Sequence, residues 1–241
     1  MATNINWKSE DMSERFPFVF LVDVDNTLLD TDHIQNDLQE HLEREFGAAC
    51  RDRYSKILEN LFEEFGYRDY LGALQRYRNE HPTDIRLLTM SSYLVDYPFA
   101  DRLYPGALDV LKRLRSWGQT VILSDGDVVF QPRKVERSGI DEAVSGRVLI
   151  YIHKEEALAD VERRYPAAHY VVIDDKLRIL AAMKKAWGER VTTVFPRQGK
   201  FAHDPKILGA FPVPDVTIER IGDLLSYELS NLVSFWESAQ S

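Results

Sequence analysis

Disulfide chemistry is excluded at the outset, because the chain holds a single cysteine, Cys50, with no internal partner and a place in a helix-like stretch that suits a buried structural thiol. A reducing cytoplasm is the expected compartment. Long hydrophobic runs are missing too: no segment reaches the roughly 18 apolar residues of a membrane span. The leader MATNINWKSEDMSERF is polar and lacks the basic-then-apolar order of a secretory signal. Positive charge is scarce, with 30 Lys and Arg against 39 Asp and Glu and a formal net charge of -9. That balance argues against the basic surface of a non-specific nucleic-acid or anionic-membrane binder. No G-x-G-x-x-G follows an apolar run, which disfavours a dinucleotide site, and there is no internal repeat or low-complexity tract. A small molecule is the expected partner, and the oligomeric state is not legible.

What is present is the composition of an ordinary folded protein, 44% hydrophobic and 29% charged over 241 residues, long enough for a sizeable core carrying an insert. FPFVFLVDVD, entered through Pro17, reads as a strand buried on both faces. From Thr31 to Phe99 the texture turns helical, with apolar residues three and four apart and four helices punctuated by Gly47, Gly66 and Pro82. From Tyr104 strand-like and helical stretches alternate: PGALDVLKRLRSWG then TVILSD, GRVLIYIH then KEEALADVERRY, HYVVIDD then KLRILAAMKKAWG, and RVTTVF. The expected fold is an α/β doubly wound parallel sheet, residues 1–30 and 100–241, interrupted after its first strand by an all-α cap, residues 31–99. The closing IERIGDLLSYELSNLVSFW reads as helical.

In such sheets ligands bind beyond the carboxyl ends of the strands, and the acids of this chain fall there. Asp23 and Asp25, with Thr27, follow the first strand; two carboxylates at one rim repel unless a cation or a shared proton separates them. They also suit loop capping. Ser124 closes the apolar run of TVILSD and serves either as a turn residue or as a donor to a phosphate oxygen. Asp125 and Asp127 flank Gly126 as turn formers that could face the cleft. Lys154 opens a helical segment, where the helix dipole opposes a cation unless an anion lies near; His153 beside it suits packing or capping as well as substrate contact. Asp174 and Asp175 end HYVVI as adjacent hard oxygen ligands of the kind magnesium takes.

Taken in order, VDVDNTLLD, LSDGD, Lys154 and VVIDD resemble the four motifs of the haloacid dehalogenase superfamily, and specifically its phosphatase branch. The resemblance implies a Rossmann-like core with a helical cap inserted after the first motif, Mg2+ as cofactor and a small-molecule phosphate ester as substrate. Position by position, it implies Asp23 as nucleophile and metal ligand, and Asp25 as general acid and base that also offers its backbone carbonyl to the metal. Thr27 would support that loop, Ser124 and Lys154 would bind the phosphoryl oxygens, and Asp175 would be the main acidic metal ligand with Asp174 beside it. The neighbouring negative charge is expected to keep Asp25 protonated. The dehalogenase branch lacks an acid at the position of Asp25. Two departures stand out: Asp-Asp replaces the common Gly-Asp, and Ile179 and Leu180 stand where a further Asp is usual. A phosphotransferase or mutase would use the same motifs, and a silent binding protein would be favoured only by loss of Asp23 or Asp25. Arg68, Arg76, Arg78 and Tyr93 are the cap side chains that offer themselves for specificity or for a solvated helix face.

Overall fold

The first apolar run forms β1 (Phe16–Val22), in which Val19, Phe20, Leu21 and Val22 are fully buried, as an interior parallel strand requires. The structure, a computed structural model, describes residues 16–233. The polar leader before Phe16 and the end of the C-terminal helix-like stretch after Val233 lie outside the described residues. The side chains of β1 alternate between two apolar clusters, Phe18, Phe20 and Val22 on one face and Val19 and Leu21 on the other.

The chain then runs through α1 (Thr31–Phe46), α2 (Ala48–Phe65), α3 (Tyr70–Glu80) and α4 (Leu87–Val95), followed by a 3-10 turn (Phe99–Arg102). It continues through α5 (Ala107–Trp117), β2 (Gln119–Asp125), α6 (Phe130–Arg137), α7 (Ile140–Ala143), β3 (Val148–Tyr151), a 3-10 turn (Lys154–Glu156) and α8 (Leu158–Arg164). β4 (Ala167–Ile173), α9 (Leu177–Trp187), β5 (Val191–Pro196), α10 (Pro205–Leu208), β6 (Val216–Ile218) and a 3-10 turn (Ile221–Ser226) complete it. The six strands form one parallel sheet in the order β3-β2-β1-β4-β5-β6. On one face α5 packs Val110, Leu111 and Leu114 beside Ile221 and Leu224; on the other α9 packs Leu177, Leu180, Met183 and Trp187. The doubly wound sheet expected from the alternating texture is therefore present.

Caps mark several ends of the four helices that follow β1. Asp30 caps α1 by accepting the His33 amide at 3.0 Å and Asp69 caps α3 through the Gly72 amide at 2.7 Å, while Gly66 ends α2 with φ +77°. The four helices bury an apolar cluster of their own, including Leu38, Tyr54, Leu58, Leu61 and Met90. Phe130 of α6 joins that cluster, its ring 5.0 Å from Tyr70 and 5.6 Å from Phe99.

Two expectations differ in detail. The closing helical stretch is broken into β6 and a 3-10 turn, with a helix resuming at 229; three strand residues behind Pro214 are too few for any periodicity to register. KEEALADVERRY divides into a 3-10 turn and the short helix α8. No helix among the described residues is long and apolar enough to cross a membrane.

β4 carries an inward polar residue, His169, 1% exposed, whose Nε2 lies 2.9 Å from Thr192 Oγ1. Burial, helped by the Lys184 ammonium, lowers its pKa from 6.5 to about 4. The unfolded chain therefore binds a proton in this interval that the native protein refuses, so stability present above about 6.5 is lost as the pH falls toward about 4. Urea unfolding across this range should show His169→Gln losing up to about 1.4 kcal/mol per pH unit of the slope seen in the parent.

Candidate active site

Parallel register sets the ends of the central strands level, with Val22 opposite both Ile122 and Ile173. The next residues on each strand accordingly reach one rim. The Asp23 amide donates to Ile173 O at 3.0 Å, extending the ladder by one rung, and the Asp174 amide does the same to Val194 O at 3.2 Å. Beyond Asp23 the chain turns sharply: Val24 O accepts the amides of Thr27, Leu28 and Leu29 at 3.3, 2.9 and 2.9 Å. Asn26 holds the turn with φ +55°, a conformation asparagine tolerates, and its Oδ1 accepts the amides of Thr31 and Asp32 at 3.0 and 3.2 Å. The turn brings Asp25 back toward the rim, as the sequence predicts.

At the centre lies Lys154, fully buried, its Nζ 2.6 Å from Asp23 Oδ1 and 2.6 Å from Asp174 Oδ2. Burial opposes its charge, but Asp174, Asp23 and Asp125 hold the ammonium protonated well above the ordinary lysine range. Ser124 Oγ donates to Asp23 Oδ1 at 3.3 Å, and Thr27 Oγ1 lies 3.4 Å from Asp23 Oδ2 while accepting the Asp175 amide at 3.1 Å. Asp23, Asp174 and Asp175 each present an oxygen such that all three lie within 4.8 Å of one another. Burial raises the Asp23 pKa against the pull of Lys154, and burial raises that of Asp175 well above the usual range, with Asp174 and Asp23 adding to it against Lys176. Of the turn residues, Asp127 accepts the amides of Val129 and Phe130 at 2.8 and 2.6 Å where the chain enters α6, whereas Asp125 reaches the cleft and accepts the Lys154 amide at 2.7 Å.

Asp25 differs from its expected state. Burial would raise it, but Lys134 Nζ at 2.5 Å and Thr31 Oγ1 at 2.8 Å outweigh burial and lower its pKa, so Asp25 stands as a carboxylate and is not held protonated by its acidic neighbours. Lys134 was not among the candidates read from the sequence. Nor was Gln131, whose Nε2 donates to Ser124 Oγ at 2.9 Å and lies 3.3 Å from Asp25 Oδ2. The signal lies in α6, where Phe130, Gln131, Lys134 and Val135 share the buried stripe: polar residues at buried helix positions face something polar.

These groups open into a cleft of about 650 Å³ bounded by the sheet rim below and the insert above. A family model for haloacid dehalogenase-like hydrolases matches residues 19–186. The chain belongs to that family. A haloacid dehalogenase-like hydrolase from Burkholderia xenovorans LB400 shares 63% identity over 90% of this chain and 98% of its own, with a TM-score of 0.85. Two further solved structures share the fold at 18% identity. The HAD-hydrolase YfnB of Bacillus subtilis, bound to magnesium, has a TM-score of 0.59 and covers 88% of this chain and 98% of its own. The L-2-haloacid dehalogenase of Xanthobacter autotrophicus has a TM-score of 0.53 and covers 86% and 96%. No curated protein matches the chain.

The buried aspartate cluster of this haloacid dehalogenase-like hydrolase fits the catalytic site of its family. The cluster also fits a hard divalent cation: Asp175 Oδ1 is buried with no hydrogen-bond partner, and three crowded carboxylates offer only oxygen. Its own repulsion gives a test. In chelator, Asp175→Asn should melt a few degrees above the parent, because one crowded buried carboxylate is gone. Magnesium should then raise the parent's melting temperature, by about 2.7 kcal/mol of stability at a hundred times the dissociation constant, and leave the variant nearly unmoved. A variant that keeps the full shift removes Asp175 from the site.

Proposed function

We propose that this hydrolase cleaves small-molecule phosphate monoesters through an aspartyl-phosphate on Asp23, with Mg2+ as cofactor. The observation that carries the reading is a second carboxylate, Asp25, opening into the cleft beside the buried trio. Carboxylate attack on a phosphate dianion needs charge neutralisation and a proton for the leaving oxygen, and the site offers groups for both. When bound, the metal would be held by Asp23, Asp174, Asp175 and the Asp25 carbonyl, and would offset the charge of the phosphate.

The protein's own groups do the rest. Lys154 and Ser124, now on Asp23 Oδ1, favour the ionised nucleophile against its burial and aim it, and both can donate to the phosphoryl oxygens as these arrive. The Asp23 oxygen forms a bond to phosphorus as the ester P–O bond breaks. Asp25 begins as a carboxylate on Lys134. An incoming dianion raises its pKa twice over, by adding a negative charge and by competing for Lys134. With its pKa raised, Asp25 takes a proton from solvent as the ester binds and gives it to the leaving oxygen, and in the second half it takes one from the water that attacks phosphorus and releases Asp23. General acid-base help of this kind is worth about 10² to 10⁴ in rate.

The test compares leaving groups. Asp23→Asn should release no phosphate from any ester. Asp25→Asn should slow alkyl phosphates by about 10² or more while slowing an activated aryl phosphate far less, and it should accumulate a phosphoryl adduct visible by intact mass. Equal slowing of both esters with no adduct removes Asp25 from proton transfer. Halide release from 2-haloacids in place of phosphate release returns the chain to the dehalogenase branch.

A further inference from the structure

The cap side chains offered by the sequence separate in the structure. Arg76 pairs with Glu64 at 2.7 Å, Arg78 lines a second groove beside Leu71 and Leu74, and Tyr93 stacks on His41 at 3.7 Å. Arg68 alone of these lines the catalytic cleft. It sits on the turn between α2 and α3, and that turn is seated on the core: a Cβ at Gly66 would lie 2.8 Å from His153 Cε1, one residue from Lys154. Arg68 thus shares the cleft wall with His153, and the turn that carries it packs closely on that ring at Gly66.

The other cleft cations are engaged. Lys134 is on Asp25, Arg178 on Glu155, Lys200 faces Asp32 at 3.6 Å, and Lys176 lies in the field of Asp23 and Asp175. Arg68 lies over the Phe62 ring at 5.5 Å and has no carboxylate within ion-pair distance among the described residues. Next to it is an independent sign of a missing partner. Tyr70 also lines the cleft and is 2% exposed, yet its hydroxyl is buried without a hydrogen bond. Burial pushes that hydroxyl far above the ordinary tyrosine range, with Arg68 pulling against it, so it stays a neutral donor. A buried unpaired hydroxyl is costly in a finished structure and cheap where a ligand completes it.

We propose that Arg68 and Tyr70 bind a carboxylate on the alcohol half of the substrate, so that the proposed phosphatase acts on phosphate monoesters of hydroxy acids. A guanidinium fork and one hydroxyl match the two oxygens and single charge of a carboxylate. Phe62, Tyr67, Ile207 and Phe211 supply an apolar wall of the cleft for the carbon chain between the two anions. The assignment deepens the phosphatase reading but is tested by binding, without turnover.

The probes are the non-hydrolysable phosphonates phosphonoacetate, phosphonopropionate and phosphonobutyrate, each beside its primary amide, titrated calorimetrically into the magnesium-loaded protein. At the chain length that spans the cleft, the acid should bind about tenfold or more tighter than the amide. Arg68→Met should bring that ratio near one. Tyr70→Phe should lower it by about threefold while melting no lower than the parent, since only an unsatisfied hydroxyl is lost. A ratio near one in the parent at every length, or one that survives Arg68→Met, overturns the assignment. Failure of acids and amides alike to bind overturns it together with the phosphate site, whereas tight amide binding without acid preference leaves the phosphate site standing and refutes the carboxylate alone.

Discussion

One ammonium group holds the rim of the sheet together. Lys154 is fully buried between Asp23 just past β1 and Asp174 just past β4, and its Nζ also donates to Leu123 O at 3.2 Å. Two carboxylates from adjacent strands would repel in a space closed to water, and that position is tolerable only with a cation between them. The third acid, Asp175, has no comparable partner, and the surplus of negative charge fits the site to a metal.

Polar groups outside the motifs hold the catalytic turn in place. Gln198, just past β5, donates to Asn26 O and Thr27 O at 3.2 and 3.0 Å while accepting the Ile221 amide. Close by, Gly199 at φ +71° leaves no room for a Cβ, which would come 2.7 Å from Asn26 Cγ. Buried backbone carbonyls in a turn this sharp have few partners, and one amide side chain satisfies two of them. The turn that carries Asp25 is therefore held partly by a residue 172 positions beyond Asn26.

The sheet, the insert and the strand-end acids were legible because each has a local signature: an all-apolar run for β1, three-and-four spacing in α1 to α4, and acids at the last turn of FVFLVDVD and HYVVIDD. What was not legible depends on contacts distant in sequence. Gln131 and Lys134 meet Ser124 and Asp25 only once the fold brings α6 to the strand-end rim, and only then does Lys134 reverse the expected protonation of Asp25. Gln198 carries no local mark at all. β6 is three residues long and owes its place to pairing with β5, a nonlocal bond that no window of sequence contains.

α6 belongs to two structures at once. Phe130 is buried among the aromatic rings of the insert, while Gln131 and Lys134, one and four residues on, hold Ser124 and Asp25. A packed ring is not released by small displacements, because close-packed contacts yield in steps and not gradually. Any displacement of the insert against the sheet must therefore either pull Phe130 from its neighbours or draw α6 along with it. In the second case the same displacement would loosen the ammonium on Asp25, so that the seating of the insert and the charge at the rim share one helix.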